Sequence, residues 1–579
     1  MGEKIVKGIG VSEGIRIGKA FIFRHTITSG MERKISEENV EKEIGRLKYA
    51  KESAVAEIDA LIGQVGQKLE ADKLGVLKGQ KDILRDPAYG PEIERLIQKQ
   101  LFSSEMAVKQ VTEKFALLFE NMKSDYMKER AADVRDVGNR ILSLLSGEKT
   151  SGLKDIDRPV ILVAADLSPT DTVQLDQKFV LGFATQKGGK TSHASIFAKS
   201  LGIPAVVGLS GLLDSVTDGE TIIIDGRQGF CIVSPGLETV RKYRELENKE
   251  LEEQLLLKEY IHKQAFTSDG NRIMVAANIG SSADAEYAVQ QGAESVGLFR
   301  TEQLYLSRDT FPSENDQFEE YKKVAQKFSD HEVIVRTLDI GGDKSLSYLK
   351  IPKEENPFLG YRAIRLCLDR KDLFMTQLKA ILRASTFGKL AIMFPMISDY
   401  DELMAAKSVL NEAKFQLKSE NRSFADNIKV GIMVEIPSAA LLADVFAKEV
   451  DFFSIGTNDL TQYTLAVDRG NEKISYLYNY FNPGVIRLIK SAADAAHASG
   501  IPIGMCGGMA GDPLAIPLLI GLDLDELSMV AGAVPKAKSV LNKISKKECT
   551  ELAEKSFHMK SAKEIQKFLA GFYKSRFGS

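Results

Sequence analysis

Several apolar runs in the carboxyl-terminal half of the chain end in charged or reactive side chains. Arg300 ends the run ESVGLFR, and Arg336 and Asp339 lie near the end of EVIVRTLD. A charged residue buried in a strand is costly unless it is paired or binds a metal. One such residue is explained by a structural salt bridge, whereas a series of them indicates a shared site. The series continues with Glu435, Asn458, Asp459 and Cys506.

The chemistry of these side chains suits a small anion that carries a phosphate group. Arginine is a planar, permanently charged donor that binds phosphate or carboxylate through two hydrogen bonds. Glu435 and Asp459 offer hard oxygen ligands, and Mg²⁺ is commonly held by one or two carboxylates plus substrate phosphate oxygens. Cys506 is a candidate proton donor to carbon, and a small buried apolar side chain is the alternative interpretation. The candidate arginines are Arg300, Arg336, Arg362 and Arg469.

A second reactive segment is the glycine-rich run GGKTSHASI at 188–196, which presents His193 between two serines, just ahead of a helical pattern. The nucleotide-binding pattern GxxxxGK[ST] needs glycine at position 184, where the chain has Ala184, so that interpretation is rejected. Glycines let backbone N–H groups approach an anion, and a helix amino terminus adds a favourable dipole. A histidine in this setting can accept and release a phosphoryl group.

Eight β-rich runs alternate with helical patterns after residue 262, which predicts a (β/α)8 barrel. In such a barrel the active site lies at the carboxyl ends of the strands, where the polar residues described above fall. A doubly wound open sheet is the structural alternative, because a count of strands does not establish closure. The eight runs are 272–279, 294–300, 332–339, 390–396, 430–436, 451–456, 501–506 and 526–531.

The amino-terminal half mixes two patterns. Residues 33–148 carry apolar residues at three-to-four spacing, which is typical of amphipathic helices packed as a bundle. Strand patterns precede this segment at 3–25 and return between 159 and 234, so we expect one α/β domain with the bundle inserted in it. The predicted limits are 1–30 with 149–235 for the α/β domain, 31–148 for the helical insertion, 236–261 for a charged linker helix and 262–579 for the barrel.

Composition excludes several classes of protein. The chain has 579 residues and a formal net charge of −3, whereas a nucleic-acid binder shows a basic surplus. No apolar stretch is long enough to span a membrane, and the first residues do not form a signal peptide. The four cysteines have no paired spacing, which favours free thiols in a reducing compartment. We therefore expect a cytoplasmic, multidomain enzyme.

Long motifs along the chain, taken together, resemble one known family. They resemble enzyme I of the bacterial phosphoenolpyruvate:sugar phosphotransferase system, and the resemblance covers essentially the full length. The motifs are GGKTSHASIFAKSLGIPAVVG at 188–208, GLFRTE at 297–302, RTLDIGGDK at 336–344, ENPFLGYRAIR at 355–365, GIMVEIPSA at 431–439, IGTNDLTQYTLAVDR at 455–469 and GMCGGMAGD at 504–512.

The resemblance implies a role for each candidate residue. His193 is expected to take the phosphoryl group from phosphoenolpyruvate, with Thr172 beside it. Glu435 and Asp459 are expected to bind Mg²⁺, and Cys506 is expected to protonate enolpyruvate at C3, which yields pyruvate. The residues expected to bind phosphoenolpyruvate are Arg300, Arg336, Arg362, Asn458 and Arg469.

The resemblance also implies partners and motion. The helical insertion is expected to dock the phosphocarrier protein HPr, with Arg130 and Arg135 as contributors, in the first step of sugar uptake. The phosphohistidine domain is expected to swivel, with the linker helix at 237–260 as the hinge region. The chain is expected to form a homodimer through its barrel.

Four positions depart from the usual family pattern, which leaves other functions open. Gly508 stands where the family has glutamate after Cys-Gly, so proton delivery near Cys506 is affected. An ATP-dependent dikinase is one alternative, although its nucleotide-grasping domain has no room in this chain. A slow enzyme or a regulator that senses phosphoenolpyruvate is the other. The remaining departures are Gln186 for aspartate, Asn482 for histidine and Val530 for serine.

Overall fold

The computed structural model divides the chain into two compact units, Met1–Gln254 and Leu255–Ser579. None of the described helices has both the length and the apolar character needed to cross a membrane. The described residues are 2–23, 33–65, 71–120, 125–146, 153, 156–167, 171, 175, 178–189, 192, 194–195, 198, 202–306, 308–342, 344, 346, 348–349, 351–352, 354–471 and 473–578.

The first unit contains the predicted bundle of amphipathic helices. Their apolar faces enclose a core that includes Leu47, Ile58, Ile93, Val108 and Ile141. Burial of one face of each helix is the main source of stability in such a bundle, since isolated helices of these lengths are marginal. The helices are α1 (Val40–Val65), α2 (Ala71–Arg85), α3 (Tyr89–Gln100), α4 (Ser104–Glu120) and α5 (Asp125–Ser146).

The same unit contains an eight-stranded mixed sheet in the order β1-β8-β7-β3-β4-β5-β6-β2. Strands β3 and β4 are parallel neighbours, and Lys19 of β3 lies opposite Val160 of β4. The whole helical bundle falls between these two strands in sequence, which confirms that it is an insertion in an α/β fold. The strands are β1 (Lys4–Lys7), β2 (Ile9–Ser12), β3 (Ile15–Phe23), β4 (Val160–Ala164), β5 (Val180–Thr185), β6 (Ala205–Val207), β7 (Thr221–Asp225) and β8 (Phe230–Val233).

The second unit is a closed barrel of eight parallel strands, so the open-sheet alternative is wrong. The last strand pairs with the first, with Glu526 opposite Met274 and Val530 opposite Asn278. All eight predicted runs contain a strand. The strands are β9 (Met274–Ile279), β10 (Val296–Arg300), β11 (Glu332–Arg336), β12 (Lys389–Phe394), β13 (Lys429–Val434), β14 (Phe452–Ile455), β15 (Ile503–Met505) and β16 (Glu526–Val530).

Helices connect the barrel strands and cover them. They are Ser282–Gln290, Glu302–Leu306, Glu314–Lys327, Ala363–Asp369, Lys371–Ala384, Tyr400–Ser419, Pro437–Leu441, Ala443–Phe446, Thr457–Leu465, Pro483–Ala498, Ile516–Gly521, Val534–Leu541, Lys546–Phe557 and Ala562–Phe577. Two further helices, Leu212–Ser215 and Leu237–Lys258, follow β6 and β8. Short 3-10 turns occupy Glu37–Asn39, Pro357–Leu359, Ser385–Phe387, Ser475–Leu477, Gly508–Gly511 and Ala531–Ala533.

The interior of the barrel is packed with apolar side chains below its carboxyl-terminal face. This inner cluster contains Leu298, Ile334, Met393, Met433 and Phe452, together with Cys506. A packed interior leaves no pore, so polar chemistry is confined to the face where the strands end. The carboxyl-terminal face is therefore the part of the barrel that carries the candidate site.

Candidate active site

Two buried arginines at the barrel face are held by a shared carboxylate. Arg336 closes β11, and its Nη2 lies 2.7 Å from Glu302 Oε1 and 3.0 Å from Asp339 Oδ2. Arg362 precedes the helix Ala363–Asp369, and its Nη2 lies 2.8 Å from the other oxygen of Asp339. Asp339 therefore fixes the spacing of the two guanidinium groups.

This network strongly shifts the pKa values of its members. Burial alone would raise the pKa of Asp339, but Arg336, Arg362 and Lys344 hold it well below its usual range. Burial would lower the pKa of Arg336, yet Glu302 and Asp339 raise it above its ordinary value. Lys344 joins the network at 2.7 Å from Glu302 Oε1 and 3.0 Å from Asp339 Oδ2. The arginines are consequently charged and immobile.

The positive charges at this face outnumber the negative charges of the nearby carboxylates. Arg300 ends β10 and has no carboxylate oxygen within 4 Å among the described residues, and burial together with the positive charge of Arg336 lowers its pKa. Arg469 makes only a loose ion pair, with its Nη1 3.6 Å from Asp459 Oδ1. The buried Nε atoms of Arg336 and Arg362 have no hydrogen-bond partner among the residues that the structure describes. These unused donors suit a multiply charged anion.

Glu435 and Asp459 meet the requirements of a two-carboxylate cation site. Glu435 directly follows β13, and its Oε1 accepts a hydrogen bond from the backbone N–H of Met396 at 2.7 Å. Burial, and then the negative charge of Asp459, raise the pKa of Glu435 to about 8. Asp459 Oδ1 is buried and accepts no hydrogen bond from the described residues, and its nearest cation is Arg469, with Nη1 3.6 Å away. A divalent cation would relieve this repulsion and bind the oxygen that accepts no hydrogen bond, so the residues fit Mg²⁺.

No larger metal-ligand cluster is present in the part of the chain that the structure describes. Groups of three or more His, Cys, Asp or Glu side chains arranged to hold a metal do not occur there. A cation at this site would therefore need other oxygen ligands, and substrate phosphate oxygens are the usual ones for Mg²⁺. Gly456 makes room for the carboxylate, since an added Cβ would lie 2.9 Å from Glu435 Oε2.

Cys506 lies immediately after β15, with 2% of its surface exposed. Burial raises the pKa of its thiol to about 11. Its backbone oxygen accepts a hydrogen bond from Asn278 Nδ2 at 2.9 Å, and Asn278 Oδ1 in turn accepts one from Ser528 Oγ at 2.7 Å. The thiol is thus a protonated group held at the same face as the arginines.

Comparison with known proteins identifies the chain. Three family models match it: "PEP-utilising enzyme, N-terminal" over residues 7–130, "PEP-utilising enzyme, mobile domain" over 156–229 and "PEP-utilising enzyme, PEP-binding domain" over 255–546. The phosphoenolpyruvate-protein phosphotransferase of Bacillus subtilis (strain 168) is 45% identical over 98% of this chain and 100% of its own length. The chain belongs to the phosphoenolpyruvate-protein phosphotransferase family.

Other members of the family show the same similarity. The phosphoenolpyruvate-protein phosphotransferase of Staphylococcus aureus is 45% identical over 99% of this chain and 100% of its own length. That of Geobacillus stearothermophilus is 45% identical over 98% of both chains. The predicted family, the enzyme class and phosphoenolpyruvate-dependent phosphotransfer in the phosphotransferase system are therefore supported.

The structure brings most of the predicted residues of this family to one face. The members found there are Arg300, Arg336, Arg362, Glu435, Asn458, Asp459, Arg469 and Cys506. His193 and Thr172 lie outside the described residues, so their predicted roles stay predictions. In the sequence on either side of His193, Gly188 has a φ of 108°, which favours glycine, and Ser195 Oγ donates to the backbone oxygen of Gly189 at 2.6 Å.

Three departures from the family pattern have structural partners of their own. Gly508 donates its backbone N–H to Asn458 Oδ1 at 3.1 Å. Gln186 Oε1 accepts from the backbone N–H of Leu213 at 3.2 Å. Asn482 caps the helix Pro483–Ala498 by accepting from the N–H of Gly484 at 2.9 Å. Nothing in the structure explains Val530, whose side chain is exposed.

The sequence interpretation missed the side chains that position the arginines. Glu302 and Lys344 lie within the recognised motifs GLFRTE and RTLDIGGDK, yet neither was assigned a role. Tyr463 was also missed: its hydroxyl accepts from Arg362 Nη1 at 3.2 Å and donates to the backbone oxygen of Phe358 at 2.6 Å. Each of the three lies in a motif that also contains a predicted ligand, but the sequence gives no signal for their contacts, which join segments that are far apart in the chain.

We expect Tyr463→Phe to raise the KM for phosphoenolpyruvate about tenfold and to change kcat less. The reason is that a hydrogen bond to a charged group contributes roughly 1.5–3 kcal/mol, and its loss loosens Arg362 in the free enzyme and in the complex alike. Steady-state kinetics with Tyr573→Phe as control measure the effect, because Tyr573 lies in the last helix, Ala562–Phe577. An unchanged KM would show that Tyr463 does not position Arg362.

Proposed function

We propose that this protein transfers the phosphoryl group of phosphoenolpyruvate to its own His193 and then to HPr, with release of pyruvate. The observation that carries the proposal is the surplus of positive charge at the barrel face, where Arg336 and Arg362 are buried. Five cations face four carboxylates among the described residues, and Arg300 has no ion-pair partner there. Phosphoenolpyruvate carries both a phosphate and a carboxylate, which matches this surplus.

The first step breaks the bond between phosphorus and the enol oxygen and forms one between phosphorus and a ring nitrogen of His193. Such a transfer needs alignment and charge stabilisation more than covalent help from the protein. Arg300, Arg336 and Arg362 would hold the phosphate oxygens, and Arg469 and Asn458 would complete the binding of the substrate. Thr172 is proposed to lie beside the phosphorylated imidazole.

We propose Mg²⁺ as the cation at Glu435 and Asp459. When bound there, it would neutralise part of the negative charge on the phosphate. Asp459 Oδ1, which accepts no hydrogen bond from the described residues, and the raised pKa of Glu435 support a cation between the two carboxylates. Arg362, whose Nη2 lies 3.4 Å from Asp459 Oδ2, keeps the second oxygen of that carboxylate oriented.

The second step is the protonation of enolpyruvate at C3, which we assign to Cys506. A thiol with a pKa of about 11 is protonated at neutral pH and can donate to a strongly basic carbon. The thiolate formed would then take a proton from solvent or from a neighbouring group. Gly508, which is exposed, has no side chain that could return a proton to the Cys506 thiolate, so we expect this reprotonation to be slow.

We propose that the helical bundle docks HPr. Leu117 and Leu118 are about half exposed on α4, and large apolar side chains exposed together favour a protein contact. Arg135 of α5 pairs with Glu113 and Glu120 of α4, at 2.7 and 2.5 Å, which surrounds the leucines with polar groups. Arg130 and Arg135 remain proposed contributors to docking. We also propose the homodimer through the barrel and the hinge at 237–260.

We expect His193→Ala to abolish acid-labile labelling of the protein by ³²P-phosphoenolpyruvate and Mg²⁺, because the mutant lacks the accepting imidazole. Calorimetry of phosphoenolpyruvate binding to the mutant checks that the barrel remains competent. His331→Ala, a histidine outside every site described above, is the matched control and should label normally. Label that persists in His193→Ala would remove the assignment, and a requirement for ATP would favour a dikinase.

We expect Gly508→Glu to increase the rate of pyruvate formation about tenfold at saturating phosphoenolpyruvate, since a carboxylate could return the proton to Cys506. An added Cβ at Gly508 would lie 3.3 Å from Asn458 Oδ1, so only a small adjustment is needed. Gly508→Gln has the same shape without the acid and should show no gain. Equal rates in both variants would show that proton return is not limiting, which removes the explanation of a slow enzyme.

We expect Leu118→Asp to slow phosphoryl transfer to HPr about tenfold without changing self-phosphorylation. Loss of one central apolar contact in an interface commonly costs at least ~1 kcal/mol. Tyr49→Asp is the control, because Tyr49 is an exposed apolar residue on α1 of the same bundle. Rapid-quench measurement separates the two reactions. Equal losses in both variants would place the docking surface elsewhere.

A further inference from the structure

A cavity of about 490 Å³ lies beside the barrel site and is lined by none of the residues proposed to bind phosphoenolpyruvate. This volume falls within the usual range for small-molecule sites, roughly 300–1,000 Å³. Its walls are mainly apolar and include Phe358, Met396, Ile436, Tyr463 and Val467. Such a lining with few polar groups is typical of a ligand pocket.

Three wall residues hold members of the catalytic site. Tyr463 contacts Arg362 through its hydroxyl, at 3.2 Å from Nη1. Gln462 Oε1 accepts from the backbone N–H of Arg469 at 3.1 Å. Met396 donates its backbone N–H to Glu435 at 2.7 Å. A molecule in the cavity would therefore contact residues whose hydrogen bonds position two arginines and one proposed metal ligand.

The cavity wall also contains strained backbone. Met396 has a φ of 58° and Ala466 has a φ of 53°, both in the left-handed region that disfavours side chains other than glycine. Strain of this kind persists where the surrounding structure enforces it and is concentrated at binding and switching sites. Because two wall residues have this strained backbone, we expect the wall to change conformation when a ligand occupies the cavity.

The polar groups of the wall define the chemistry of the ligand. Gln462 is 4% exposed. Its Oε1 accepts a hydrogen bond from the backbone N–H of Arg469, whereas its Nε2 makes no hydrogen bond to the described residues. Arg365 donates through Nη1 to two backbone oxygens and lies 3.6 Å from Glu402, while its Nη2 makes no hydrogen bond in the described part of the chain. Both unused groups are donors. The acidic wall residues Glu355 and Asp468 are exposed at the rim.

We propose that this cavity binds a small carboxylate with an apolar aromatic or branched body, and that the bound molecule weakens the enzyme's hold on phosphoenolpyruvate. The carboxylate would accept from Arg365 and Gln462, and the apolar body would contact Phe358 and Met396. The effect on turnover rests on the proposed function, whereas binding in the cavity does not. The site is thus a regulatory site next to the catalytic one.

Calorimetry of the full-length His193→Ala protein tests binding without any phosphoryl transfer. The probe is 3-phenylpropionate, and 3-phenylpropanamide is its uncharged control. We expect the acid to bind and the amide to bind at least tenfold more weakly, since a charge-assisted hydrogen bond is lost. Arg365→Gln should weaken binding of the acid about tenfold. Arg370→Gln, which removes a half-buried arginine paired with Asp372, should not. Absence of binding overturns the proposal.

Two further measurements distinguish binding in the cavity from binding at the catalytic site. Leu359→Trp places a large side chain on an exposed part of the wall and should block the probe even if Arg365→Gln fails to fold. In the active protein the probe should raise the KM for phosphoenolpyruvate and bind together with it. Strict competition that survives Leu359→Trp would assign the probe to the catalytic site and overturn the proposal. If the probe binds only after dilution has dissociated the dimer into single chains, a second copy of the chain covers the cavity. That result also overturns the proposal.

Discussion

The site depends on keeping several positive charges close together, two of them on buried arginines, without neutralising all of them. Asp339 makes this possible, because each of its oxygens contacts a different arginine and thus fixes the distance between Arg336 and Arg362. Glu302 and Lys344 complete the network, so the guanidinium groups do not need to reorganise when an anion arrives. Arg300 has no carboxylate partner in the described chain, and its charge is the one that we propose remains for the substrate.

The barrel provides what this arrangement requires. Its strands end on one face, its interior is filled by apolar side chains, and its loops carry the carboxylates that pair with the arginines. The same loops form the neighbouring cavity, whose wall holds Arg362 through Tyr463 and Arg469 through Gln462. The proposed substrate binding and the proposed effect of a ligand in the cavity therefore depend on the same contacts.

The fold was predictable from the sequence because its patterns are local. Eight apolar runs and one long amphipathic segment indicate strands and helices directly, whereas closure of the barrel depends on the pairing of β16 with β9, which no local pattern reveals. The candidate ligands at strand ends could also be selected from residue type and position. Glu302, Lys344 and Tyr463 could not, since their importance depends on distances across loops that are far apart in sequence. The cavity beside the site is likewise a product of three-dimensional packing.

The most direct test is a crystal structure of the full-length His193→Ala protein with phosphoenolpyruvate and Mg²⁺. That substitution prevents turnover and leaves every residue of the barrel unchanged. The predicted result places the phosphate within hydrogen-bond distance of Arg300, Arg336 and Arg362, with the cation bound by Glu435 and Asp459. Ordered substrate at any other surface, with the arginines still paired only to Asp339 and Glu302, would contradict the account.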